Sequence, residues 1–247
     1  MIIDENSRIS LSNNDSGTGN TIFGYKAGNA ITTGHNNVVM GNNALLNSQD
    51  IGFAVAIGNS AMSSGTMTNG ADGTIAIGQS SLTNLTSGGK NVALGYLSGS
   101  QITTGDSNVA IGHQAMDEIS TGDRNIAIGH NAIGNAQGGA NSGGSKDNIA
   151  IGFQSQGGAW SDVECLKNTS IGSYSLDGAL NGALQNTAIG YASLGAVTQG
   201  DNNVAVGMEA GDNITTGTKN VTIGQQAKTS AVGSNNQIVI GATTTGV

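Results

Sequence analysis

Apolar and small residues recur along this chain in a fixed phrase. Asn108–Ala115 reads "NVAIGHQA" and Asn125–Ala132 reads "NIAIGHNA". The glycine of the phrase recurs thirteen times, as Gly24, Gly41, Gly58, Gly78, Gly95, Gly112, Gly129, Gly152, Gly172, Gly190, Gly207, Gly224 and Gly241. Most intervals are seventeen residues, and the longer ones read as one unit plus a loop. Self-similarity at a fixed short period is the mark of a solenoid. The pattern predicts a cap or partial first coil over residues 1–19, carrying "RISLS" (Arg8–Ser12). A repeat array follows over 20–247, with insertions near 62–73, 134–147 and 156–167.

Within each unit the residue before the glycine is apolar, as in Ile57, Ile111 and Ile189. Two positions earlier stands Val, Ile or Thr, as in Val55, Val109 and Thr187. Residues two apart on a strand share a face, and β-branched side chains suit a packed, pleated surface. The phrase therefore predicts a strand whose Val and Ile point into its own coil. Between them stands Ala in eight copies: Ala56, Ala76, Ala93, Ala110, Ala127, Ala150, Ala188 and Ala205. A solvated strand face would be polar there. The expectation is that both faces are buried, with the alanines against another copy of the chain.

A second, half-exposed strand is expected at "ITTG" (Ile31–Gly34, Ile102–Gly105, Ile214–Gly217) and "ISTG" (Ile119–Gly122), closed by polar turns such as "GDS" (Gly105–Ser107). Asn opens the phrase in ten copies, among them Asn20, Asn91, Asn148 and Asn220. It serves either as a turn former or as a stacked amide ladder. The glycine marks a corner with φ > 0 or a close backbone approach. Proline is absent, as expected where nearly every N–H feeds a ladder.

Composition narrows the field. Aromatics make up 3% and glycine appears 41 times, so a thick globular core is excluded. Charged residues are only 10%, which separates the chain from charge-rich disorder. A net charge of −8 argues against nucleic acid as a partner. One cysteine, Cys165, excludes an internal disulfide framework. No segment approaches membrane-spanning length, and "IIDENSR" after Met1 does not read as a signal peptide.

The phrase N-[VIT]-A-I-G-x-x-[AS] with its threonine-glycine return resembles the head repeats of trimeric autotransporter adhesins, found also in phage tail-fibre and virion structural proteins. The likeness covers Asn20 to about Thr244. It implies an all-β, left-handed parallel β-roll solenoid of about thirteen coils with two short strands each, wound as a homotrimer. The alanine column would then be the trimer interface. The family's signal peptide, coiled-coil stalk and membrane anchor are not in this sequence. The expectation is therefore a non-enzymatic virion or tail-fibre component without cofactors, joined to neighbouring fibre proteins at its ends. The head of a bacterial surface adhesin binding host matrix or glycans is the alternative.

Candidate chemistry is sparse. Left-handed β-helix acyltransferases repeat in hexads, which do not phase here. His113 and His130 follow successive glycines and form a weak metal candidate; the other reading is a variable, partly exposed position. The acids, such as Asp106, Asp123 and Asp201, fall in turns, whereas catalytic pairing needs burial and a partner. Insertions in solenoids map to binding rims, which makes Trp160, Asn141, Lys146 and Asp162 candidate rim-loop contacts for a receptor or glycan. Trp160 either projects for contact or folds back over apolar rim.

Overall fold

Each repeat closes into a coil because a three-residue strand runs into a succession of left-handed backbone positions. The computed structural model describes residues 9–10, 17–63, 67–134, 144–160 and 163–242, in two compact units, Met1–Gly122 and Asp123–Val247. The first unit holds β1 (Ile9–Ser10), β2 (Thr21–Phe23), β3 (Val38–Met40), β4 (Val55–Ile57), β5 (Ile75–Ile77), β6 (Val92–Leu94) and β7 (Val109–Ile111). The second holds β8 (Ile126–Ile128), β9 (Ile149–Ile151), β10 (Thr169–Ile171), β11 (Thr187–Ile189), β12 (Val204–Val206), β13 (Val221–Ile223) and β14 (Ile238–Ile240). In each unit the coil strands pair in chain order, parallel and in repeat register, as with Val55↔Ile75, Ala56↔Ala76 and Ile57↔Ile77. The chain is an all-β parallel solenoid of about twelve to thirteen coils with almost no helix, the 3-10 turn Asn69–Ala71 being one short piece. β1 runs antiparallel to β2, so it caps the first coil instead of forming one.

The faces of the strand are the reverse of the expectation. Ala56, Ala76, Ala93, Ala110, Ala127, Ala150, Ala188 and Ala205 are all buried inside their own coils. A residue with no accessible surface in the single chain has none to place against a sister chain. The Val and Ile on either side point outward and stay half-exposed. The cause lies in the turns. Ile102, Ile119 and Ile214 fill the interior from one side, and Leu45, Met62, Leu82, Met116, Leu176 and Leu194 fill it from the other. The strand must therefore contribute a small residue inward.

Those Leu and Met residues adopt φ between 47° and 53°. A left-handed conformation costs about 1–2 kcal/mol for a side-chain-bearing residue, while burying such a side chain returns about 1.5–3 kcal/mol. Burial wins. In three coils the same position is glycine. Gly28 leaves room for Ile22 and Ile31, and Gly99 for Leu82 and Ile102, whose side chains occupy the space a Cβ would need. Gly211 does the same for Leu194, Ile214 and Thr222.

The expected second strand is a bend. Three successive N–H groups, from Thr32, Thr33 and Gly34, converge on the one carbonyl of Gln49 in the next coil at 2.9, 3.1 and 3.0 Å. Thr198, Gln199 and Gly200 converge likewise on Thr215. A strand ladder gives each N–H its own carbonyl, so three on one cannot be a ladder. The nearest approach to a second strand is the run of parallel bridges Lys146↔Leu166↔Leu184.

Two columns lock coil to coil. In the second unit the buried asparagines form a continuous amide ladder from Asn125 to Asn220, whereas in the first Ala54 and Thr74 interrupt the column. Asn203 Oδ1 accepts from Asn220 N and Nδ2, both at 3.0 Å, while Asn203 Nδ2 donates to Asn186 Oδ1 at 3.1 Å and to the Gly217 carbonyl at 2.8 Å. In the first unit the ladder passes through the backbone, with Asn108 N donating to Asn91 Oδ1 at 2.8 Å. In the glycine column both readings hold at once. Gly41 has φ 132°, and a Cβ there would meet the Gly58 carbonyl oxygen at 2.5 Å.

Candidate functional site

The outward side of the sheet exposes large apolar side chains. In the first unit it carries Phe23, Met40 and Ile77, and in the second Ile171, Ile189, Val206, Ile223, Ile238 and Ile240. Parallel in-register pairing sets like residues above one another, so the column just before the glycine is a continuous apolar strip within each unit, while the other outward column is interrupted by Thr21, Thr169 and Thr187. Exposed apolar strips of this kind mark contact surfaces for protein, membrane or ligand.

An aromatic row borders the strip at the first or second residue after the glycine. In the second unit the rings run His130–Phe153, Phe153–Tyr174 and Tyr174–Tyr191 with centroids 5.3, 5.2 and 5.8 Å apart. In the first, Tyr96 stacks on His113 at 5.2 Å. Each candidate metal-binding histidine thus lies against an aromatic ring, an arrangement that contributes packing energy of about 0.5–1.5 kcal/mol per pair. No group of three or more His, Cys, Asp or Glu side chains that could hold a metal occurs among the described residues.

The rim residues divide. Trp160 is 1% exposed, with its indole inside the coil and Nε1 without a hydrogen-bond partner. It is therefore a core residue and not a contact residue. The return stretch that elsewhere buries an isoleucine here buries the indole. Lys146 is half-exposed and its Nζ pairs with Asp123 Oδ2 at 3.0 Å. Asn141 and Asp162 lie outside the described residues.

The turn acids have a structural use that their sequence positions did not disclose. Asp72 Oδ1 accepts from Gly52 N and Asp106 Oδ1 from Gly89 N, both at 2.7 Å; Asp201 Oδ1 accepts from Leu184 N at 2.8 Å. Each carboxylate pins the turn of the preceding coil. Around Asp72, Asp106, Lys90, Asn69 and Ser107 lies a polar groove of about 330 Å³. Arg124 holds Asp147 through bonds of 2.7 and 3.2 Å and keeps its carboxyl below the ordinary range. Burial pushes Asp117 up to about 7, with Glu118 adding to the rise, and pushes Asp177 up to about 6. Burial also raises the Cys165 thiol to about 11, which keeps it protonated and inert. No helix among the described residues is long and apolar enough to cross a membrane.

No family model, curated protein or solved structure matches the chain.

Proposed function

We propose that this chain is a non-enzymatic structural and adhesive fibre component. In this reading it is a homotrimeric, left-handed β-roll that presents rim loops for surface or receptor binding, as part of a phage tail fibre or virion. The observation that carries the proposal is the outward apolar face. Ile171, Ile189 and Ile223 are 38–40% exposed in the single chain although its interior is already filled. Burying such columns against sister chains accounts for apolar residues where a monomer would be polar. The interface is assigned to the Val and Ile columns instead of the alanines. Load is borne along the asparagine and glycine columns, and the turn acids serve as structural acceptors.

Light scattering of the purified chain tests this directly. The expected mass is about three times the 24.4 kDa of one chain. A well-folded monomer at micromolar concentration overturns the assembly and the fibre role built on it.

The second reading is the head of a bacterial surface adhesin binding host matrix or glycans. It shares the same apolar face and differs in setting. A longer gene product carrying a coiled-coil stalk and a membrane-barrel anchor decides for it.

A further inference from the structure

A polar cluster in the interior of the second unit departs from the repeat. The middle of the strand is small and mostly apolar, yet in β10 it is Ser170. The left-handed interior position that holds Leu176 and Leu194 in later coils holds Gln156 in the coil of β9. Both are fully buried. They meet: Gln156 Nε2 donates to Ser170 Oγ at 3.0 Å and to the Ile149 carbonyl at 2.9 Å. Ser170 Oγ lies 2.6 Å from Ser155 Oγ, which in turn lies 3.1 Å from Ser175 Oγ. Gln156 Oε1 has no hydrogen-bond partner.

A Leu and an Ala at these two positions would match the neighbouring coils and leave no polar atom to satisfy. Buried polar networks stabilise little against apolar residues of similar shape, and a partly satisfied one stabilises less. Net stability therefore does not explain the pair. Specificity does. Near-identical coils can pair wrongly by one repeat with the strand ladder, glycine column and asparagine ladder all re-formed. The danger is greatest beside insertions, since looping out extra residues costs little more entropy than a short loop. Gln156 and Ser170 stand at the two ends of the second of the insertions that lengthen the repeats from Gly129 to Gly172. In a slipped pairing Gln156 would face an alanine such as Ala188, and both polar groups would lose each other.

We propose that Gln156 and Ser170 form a register key, a polar pair inside the solenoid that sets β9 against β10 and rejects pairings displaced by one coil. Each orphaned buried group disfavours the slipped state by roughly tenfold in population.

The test uses the full chain, unfolded in guanidinium and refolded, with Ser170→Ala and the double variant Gln156→Leu/Ser170→Ala. Ser170→Ala alone lowers the denaturation midpoint, because the Gln156 amide loses its side-chain partner. The double variant recovers a midpoint at or above that of the wild type. After refolding, however, it shows two populations by hydrogen exchange at residues 149–151 and 169–171, where the refolded wild type shows one. A double variant that refolds to a single population with wild-type protection overturns the key. So does a double variant that fails to fold or stays as weak as the single, since the network would then be ordinary support. A Ser170→Ala variant with an unchanged midpoint overturns it as well.

Discussion

Gly41 lies directly over Gly58, so close that a methyl group on Gly41 would stand 2.5 Å from the Gly58 carbonyl oxygen and 2.7 Å from its carbon. The obstacle is main chain, which cannot rotate away, and Gly41 also has a φ of 132° that other residues rarely adopt. Strain of about 1–3 kcal/mol from the backbone adds to a similar overpacking cost. Gly41→Ala should lower the thermal midpoint by about 5–20 °C at 2–4 °C per kcal/mol. Scanning calorimetry checks it, and a shift under about 2 °C would show that the coils part easily.

The two sides of one strand should respond oppositely to charge. Ala188 is 0% exposed and Ile189 39%. Ala188→Glu should abolish folding, because the carboxylate enters a closed interior without a partner. Ile189→Glu should leave the circular dichroism spectrum of each coil intact and reduce the scattering mass to that of one chain. If Ile189→Glu keeps the full assembly, the outward column is not the interface.

The amide ladder should be costly to interrupt at a single rung. Asn203→Ala removes bonds to Asn186, Asn220 and Gly217 and leaves buried donors and acceptors unpaired. A loss of about 3 kcal/mol is expected, measurable as a drop in the urea midpoint at constant m-value. Asn203→Asp should be worse, since it swaps two donors for a buried charge.

The left-handed interior positions predict an inverted order of substitutions. Leu194 is fully buried at φ 50°. Leu→Ala in a core costs about 2–5 kcal/mol. Glycine ordinarily does worse than alanine, but here it alone relieves the backbone strain. Leu194→Gly should therefore be at least as stable as Leu194→Ala in denaturant titrations. The usual order would show that the left-handed conformation carries no strain.

Acidity should strengthen this protein. Asp117 and Asp177 bind protons more tightly when folded, at about 7 and about 6, than at the unfolded value of 3.8. Between these limits the folded state carries more protons, so stability falls as pH rises from about 4 to about 7 and then levels off. Asp147, held low by Arg124, acts with the opposite sign but in a window below the ordinary carboxylate range. The thermal midpoint should be higher near pH 5 than near pH 8, and Asp117→Asn should raise it near pH 8. Equal midpoints at the two pH values in the wild type would contradict this.

The period, the parallel stack and the one strand per phrase were legible from the spacing of glycines and branched residues alone. Which face looks inward was not. That depends on the volume delivered by residues outside the strand, and Leu82 or Met116 in a left-handed turn carries no turn signal in its side chain. The bend at the return stretch escapes the sequence for a related reason. "ITTG" has a strand's composition, but its three N–H groups share one acceptor. Asn203 was visible as a column without disclosing whether its amide bonds to the chain's own turn or to its neighbours. The structure shows both. Trp160 drew attention as the single tryptophan, and rarity carried no information about direction.

The glycine-on-glycine contact sets the rise from coil to coil by peptide groups alone. Pitch is therefore independent of what the outer wall displays. Whole seventeen-residue modules can be duplicated, deleted or redecorated without disturbing those on either side, which leaves length and surface chemistry as separately adjustable traits.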